Sequence, residues 1–134
     1  MLKFVRWSLG FIFLWAFIDK TFGLGYATEA SKSWLNGGSP TAGFLGNAVK
    51  GPFADFFHSL AGVAMVDYLF MAGLLFVGLT LIFNKYVKWG AFAGGAMVLL
   101  MWLAVLPPEN NPIIDDHVVY FFVFMYLALT AKDQ

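Results

Sequence analysis

Long apolar stretches separated by short polar breaks make up most of the chain, and its charges gather at the ends of those stretches. The first stretch runs from about Phe4 to Leu24. The second runs from about Val63 to Phe83 and is bounded by Asn84-Lys85. Trp89 to Leu106 forms the third, stopped by Pro107-Pro108, which cannot extend a helix. The fourth begins near Ile113 and ends near Ala131, because Val118 to Ala131 alone is too short to span. A bilayer core about 30 Å thick needs roughly 20 apolar residues at 1.5 Å each. The pattern therefore predicts an all-α fold: an integral membrane four-helix bundle, with residues 1–134 as a single domain. The short link around Asn84 to Lys88 makes the second and third helices antiparallel neighbours.

The one long connection, residues 26–62, is too long to lack structure in a compact protein. Thr28 is placed to cap a short helix through Trp34, ended by Gly37-Gly38. Ser39-Pro40 offers a second cap with proline at the first helical position. Pro52 can open a third helix in which Phe53, Phe56, Phe57 and Leu60 form one apolar stripe, with Asp55, His58 and Ser59 off it. This third helix is expected in the interface or dipping back into the bundle.

Composition agrees with a membrane setting and narrows the chemistry. Hydrophobic residues make up 60% of the chain and charged ones 12%, against about a quarter charged in a soluble domain. Water is not this chain's main solvent. Net charge is zero with no basic block, so nucleic-acid binding has no electrostatic basis. Cysteine is absent, which removes disulfides, thiolate metal ligands and thiol relays. His58 and His117 are the only histidines, too few for a three-histidine zinc site, and no metal is expected. Lys3 and Arg6 ahead of an apolar run resemble a signal peptide. The run is heavy in Trp and Phe and is interrupted by Asp19-Lys20, so an uncleaved first helix is expected.

Basic residues near the span ends set an expected orientation. Lys3, Arg6, Lys85, Lys88 and Lys132 all fall on one side, read as cytoplasmic. The opposite side has Lys20, Lys32 and Lys50 spread over the long connection, with Glu109, Asp115 and Asp116. The chain is thus expected in the plasma membrane, multi-pass, with both termini cytoplasmic. Small residues at Gly90 and Gly94, Ala91 and Gly95, and Gly73 and Gly78 suit close helix contact. The sixteen phenylalanines and six methionines are assigned to packing and lipid contact rather than to a cofactor box.

Ionisable residues within the apolar stretches are the candidate chemistry. In this orientation Asp19 lies roughly 7 Å below the outer end of the first helix, at 1.5 Å per residue. Asp67, Asp116 and His117 lie roughly 5–6 Å inside their own helices by the same rise. Carboxylates from three helices thus share one depth, and intramembrane charges usually face the interior and pair. Asp19 and Lys20 are adjacent, so they do not share a face, and Asp116 and His117 diverge similarly. Asp19 and His117 are the candidate catalytic residues. Lys20, Asp67, Asp115, Asp116 and His58 are candidates for a polar pocket around them. The competing reading is that the cluster staples helix ends, with Asp115 or Asp116 favourable in the first turn of the fourth helix, and His58 on a solvated face.

Three segments carry a family resemblance. The run from Arg6 through Gly10 to Asp19-Lys20 resembles the Arg-x3-Gly…Lys opening of the DoxX/DoxD membrane family. Residues 34–45, WLNGGSPTAGFL, are similar to the outer loop of its larger-loop members, and Asn111 to His117 resembles their entry to the last helix. The resemblance implies a four-helix membrane bundle. Some members are the membrane subunit of thiosulfate:quinone oxidoreductase, and others associate with redox or protein-assembly complexes. It places Arg6, Asp19, Lys20, Asn111, Asp115, Asp116 and His117 on recurring polar positions. The thiosulfate enzyme also has a second subunit.

Two functions of different class follow as expectations. One is a DoxX-type subunit handling quinone and a small sulfur species at the outer face, with Asp19 or His117 exchanging protons. In that reading Lys20 and an outer helix N-terminus attract the anion. The other is a non-enzymatic partner or assembly subunit, meeting membrane lipid and either another membrane subunit or a second copy of itself. A solute carrier is weaker, since nothing ionisable lies at the midplane, where transporter sites usually lie. The orientation is testable with reporter fusions. A fusion at residue 45 should report the outer side and one at the C-terminus the inner side; the same side for both contradicts it.

Overall fold

The computed structural model describes residues 2–26, 28–42, 45, 49–104 and 116–131. It is helical, with no strand among the described residues. The helices are α1 (Leu2–Phe22), α2 (Ala54–His58), α3 (Ala64–Phe83), α4 (Val87–Ala104) and α5 (Asp116–Thr130). The four long ones start and stop within a few residues of the apolar stretches read from the sequence. The expected third end at Leu106 and fourth start at Ile113 lie outside the described residues.

Helix ends follow local chemistry. α3 stops at Asn84, whose φ of 58° is left-handed and whose N–H donates to the Thr80 carbonyl. Asparagine tolerates that conformation better than most residues. Tyr86, also left-handed at φ 56°, completes the turn, and α4 starts at the next residue. The Lys85 N–H goes to Thr80, leaving the Leu81 carbonyl without its usual intrahelical donor. The Arg6 guanidinium of α1 donates to that carbonyl instead.

Contacts between helices fix their directions. A Cβ added at Gly10 would lie 2.9 Å from Ile82, and one at Gly78 would lie 2.8 Å from Leu14. Residue numbers rise along α1 as they fall along α3, so the two are antiparallel. The same holds for α3 and α4, where Gly90 abuts Thr80 and Gly73 abuts Met97. Gly94 and Gly95 of α4 abut Phe124 and Met125 of α5. The rings of Phe13 and Phe124 meet edge to face, 5.4 Å apart, joining α5 to α1. Every small residue read as a helix contact on the glycine side thus meets another helix of the same chain. Leu9, Met71, Val77, Leu81 and Phe124 form the centre of the buried core.

α3 and α4 are long and apolar enough to cross a membrane, judged by length and composition. α3 is apolar on every side: Met71, Leu74 and Val77 point inward, while Leu69, Phe76 and Phe83 point outward. α1 has the length but carries Arg6, Asp19 and Lys20, and α5 has 15 residues.

In the long connection, two 3-10 turns replace the single short helix expected from Thr28. They are Ala30–Lys32 and Trp34–Asn36. The side-chain cap is Ser33, which accepts from the Asn36 N–H, and not Thr28. Gly37 ends the second turn at φ 86°, as expected. Ser39 does act as a cap, accepting from the Ala42 N–H at 3.2 Å.

Close approach of α3 and α4 predicts a specific sensitivity. A Cβ on Gly90 would sit 1.8 Å from Thr80 Oγ1, inside any tolerable contact. Gly90→Ala should destabilise by about 1–3 kcal/mol through overpacking, read as a lower Tm in detergent. Adding Thr80→Ala should recover part of the loss; an unchanged Tm in Gly90→Ala would contradict the packing.

Candidate functional site

Glycine contacts occupy one half of the helix set. Beyond Gly10 on α1, before Gly73 on α3 and beyond Gly95 on α4, no glycine occurs in these helices. Larger side chains, including Phe13 and Phe70, stand there and line the space between the helices. A cavity of about 590 Å³ opens between the helices at that end, within the size range of small-molecule sites. Its walls are mostly apolar. Four polar side chains border it: Lys20 of α1, Thr41 of the connection, and His117 and Tyr120 of α5.

The connection covers the cavity because three ties hold it down. Asp67, buried in the first turn of α3, accepts at Oδ1 from Ser39 Oγ (2.7 Å), Thr41 Oγ1 (2.6 Å) and the Thr41 N–H (3.3 Å). The Lys50 N–H donates to the Ala104 carbonyl at 2.9 Å, capping the end of α4. Leu45, Val49 and Phe57 form a small apolar cluster with Ala104, flanked by Leu60 and Val66. Within the connection, a Cβ on Gly38 would meet the Lys32 carbonyl oxygen at 2.1 Å.

Asp19 is 1% exposed, and its Oδ1 accepts from the Tyr26 N–H at 3.3 Å, which ties the start of the connection to α1. Asp19 is close enough to Lys20 for their charges to attract. Lys20 borders the cavity and Asp19 does not. His117 is half-buried at the cavity edge, whereas its neighbour Asp116 is exposed, in line with their divergence around α5. Asp67 lies beneath the rim and is engaged by Ser39 and Thr41. His58 is exposed on α2 and does not line the cavity. The expected apolar stripe of α2 divides: Phe57 and Leu60 turn to the cavity, while Phe53 and Phe56 face outward. Asp115 lies outside the described residues.

Sequence reading missed Thr41 and Tyr120. Thr41 sits 26 positions from Asp67 along the chain, and nothing local marks the pair. Tyr120 follows His117 by three positions, so it shares the face of α5 that His117 presents. That spacing was the available signal. Comparison with protein-family models, with curated proteins and with solved structures found no match.

The Asp67 tie predicts a graded response. Asp67→Ala should cost about 1.5–3 kcal/mol, the range for a hydrogen bond to a charged group, and should expose residues 26–62 to limited proteolysis. Asp67→Asn keeps an acceptor oxygen and should fall between wild type and alanine. Equal cleavage rates for all three proteins would show that the tie does not hold the connection.

Proposed function

We propose that this chain is a DoxX-type membrane subunit that binds a quinone in the cavity under its outer connection. The observation that carries the reading is the cavity itself: apolar walls with Lys20, His117 and Tyr120 gathered on one side. A quinone is a flat apolar ring with two polar oxygens, and such a pocket matches both parts. In this reading α1, α3, α4 and α5 all cross the plasma membrane as a four-helix bundle with both termini cytoplasmic. The outward faces support it, since Phe11, Phe76, Phe92 and Phe122 are large, apolar and exposed on four different helices. Continuous apolar surface of this kind marks contact with lipid or another protein.

A bound quinone would supply the redox chemistry, becoming a quinol by taking up two protons and two electrons, for example from two thiosulfate ions that join as tetrathionate. The chain's own residues bind and move protons. His117 would hydrogen-bond a ring oxygen through an imidazole nitrogen and pass a proton to it. Tyr120 Oη would donate a second hydrogen bond. Lys20 would supply positive charge at the same side of the cavity, and Asp19, next to it and tied to Tyr26, would keep that charge in place. A second subunit brings the sulfur species to the outer face.

One observation favours a second reading, a non-enzymatic partner in a larger membrane complex. Asp67 is engaged in tying down the connection, so at least one member of the polar cluster serves the fold. Under that reading the exposed aromatic faces meet another membrane subunit.

Two variants separate the readings. His117→Gln and Asp19→Asn keep size and hydrogen bonding but remove the titratable group. Both should fold; His117→Gln should lower the rate of quinone reduction about 10²–10⁴-fold, the range for a lost proton-transfer group, and Asp19→Asn, which acts only through Lys20, should lower it less. His117→Gln should in addition weaken binding of a short-chain quinone, followed by tryptophan fluorescence of the purified protein. Altered thermal stability with no change in quinone binding, and a stoichiometric protein partner in mild detergent, would instead identify the assembly role.

A further inference from the structure

The cavity is polarised. Its polar groups on the helices, Lys20, His117 and Tyr120, belong to α1 and α5. Across from them the lining comes from α3 and α4, and it is wholly apolar: Val66, Leu69, Leu74, Met97, Leu100 and Met101 among others. Two of these lining residues are also exposed on the outer surface, Leu69 at 66% and Leu100 at 53%. The antiparallel contacts Gly90 to Thr80 and Gly73 to Met97, continued toward the loop end, bring Leu69 level with Leu100. The two leucines therefore stand nearly level across the α3–α4 pair, and both line the cavity and are exposed. Leu69 lies five residues from the start of α3 and Leu100 four from the end of α4. That is about 6–8 Å from the helix ends at 1.5 Å per residue.

We infer that the cavity takes an amphiphile from the lipid phase, its polar ring against Lys20, His117 and Tyr120 and its hydrocarbon tail leaving between Leu69 and Leu100. The inference rests on the membrane and quinone reading above and adds the tail, the direction of entry and two specificity-determining residues. Three features support the tail. The lining that α3 and α4 contribute is all hydrocarbon, so a chain against it leaves no polar group unpaired. Leu69 and Leu100, which would border the exit gap, are exposed on two helices with the length and composition of membrane spans, and under the membrane reading that surface meets acyl chains. The connection covers the end of the cavity through Pro40, Thr41, Leu45 and Leu60, which blocks the route along the helix axes.

Two probes and two variants test it in full-length protein held in phosphatidylcholine nanodiscs. One probe is a dimethoxy-methyl-benzoquinone without a tail; the other has the same ring with a decyl chain. Leu69→Trp and Leu100→Trp fill the gap from a lipid-facing position and leave the core untouched. Each should weaken the decyl quinone about tenfold and change the tail-less ring less than about twofold. Leu79→Trp, exposed on the same helix but away from the cavity, serves as a control and should change neither. Unchanged decyl affinity in both gap variants, or an equal loss for both probes, overturns the route between α3 and α4. Failure of the wild-type protein to bind either probe overturns the quinone reading and the inference with it.

Discussion

The close approach of three helix segments around Thr80, Leu81 and Ile82 of α3 is the constraint on which the rest depends. Gly10 of α1 abuts Ile82 and Leu81, Gly90 of α4 abuts Thr80 and Leu81, and Arg6 reaches the Leu81 carbonyl. Absence of a side chain at the two glycines lets backbones meet where any Cβ would collide. Among helices apolar on all sides, burial of hydrocarbon gives little preference for one neighbour over another. Shape does the selecting, and the arginine adds a polar contact that only one register can satisfy. Once α1 and α4 are seated on α3 at this end, their axes are set along their whole length.

A cavity at the opposite end follows from the same constraint. The glycines run out, and phenylalanine, leucine and methionine side chains line the space left between the helices. The connection then acts as a cover rather than a linker. Its attachment uses polar groups that would otherwise be costly at a helix end: Asp67 is satisfied by two hydroxyls and a backbone N–H, and the Ala104 carbonyl by Lys50. Each tie stabilises the cover and satisfies a terminal group of the helix beneath it. Packing and ligand space are thereby coupled, since a change that loosens the cover also changes the cavity.

Much of this was legible in the residues. The lengths of the long helices came from runs of apolar residues and from breakers such as Asn84. The glycine contacts came from spacing alone, because small residues on one helix face have few other uses. What could not be read was partnership across distance. Intramembrane charges are expected to pair with one another, whereas the partners of Asp67 are Ser39 and Thr41 in the connection. The cap at Ser33 in place of Thr28 is a smaller instance: both residues suit the role, and tertiary contacts of the segment decide between them.

The division of labour within the polar cluster shows why residue type alone is a poor guide to chemistry in an apolar interior. Asp19 and Asp67 are both buried carboxylates near one end of the helix set, and both tie down the same connection, through Tyr26 in one case and through Ser39 and Thr41 in the other. Lys20, His117 and Tyr120 differ from them in what they face, since each borders the cavity. The carboxylates hold the cover in position and the cover confines the space that the other three border. Any chemistry at His117 therefore depends on acids that need not touch the ligand, and on helix contacts at the far end that set where α5 stands.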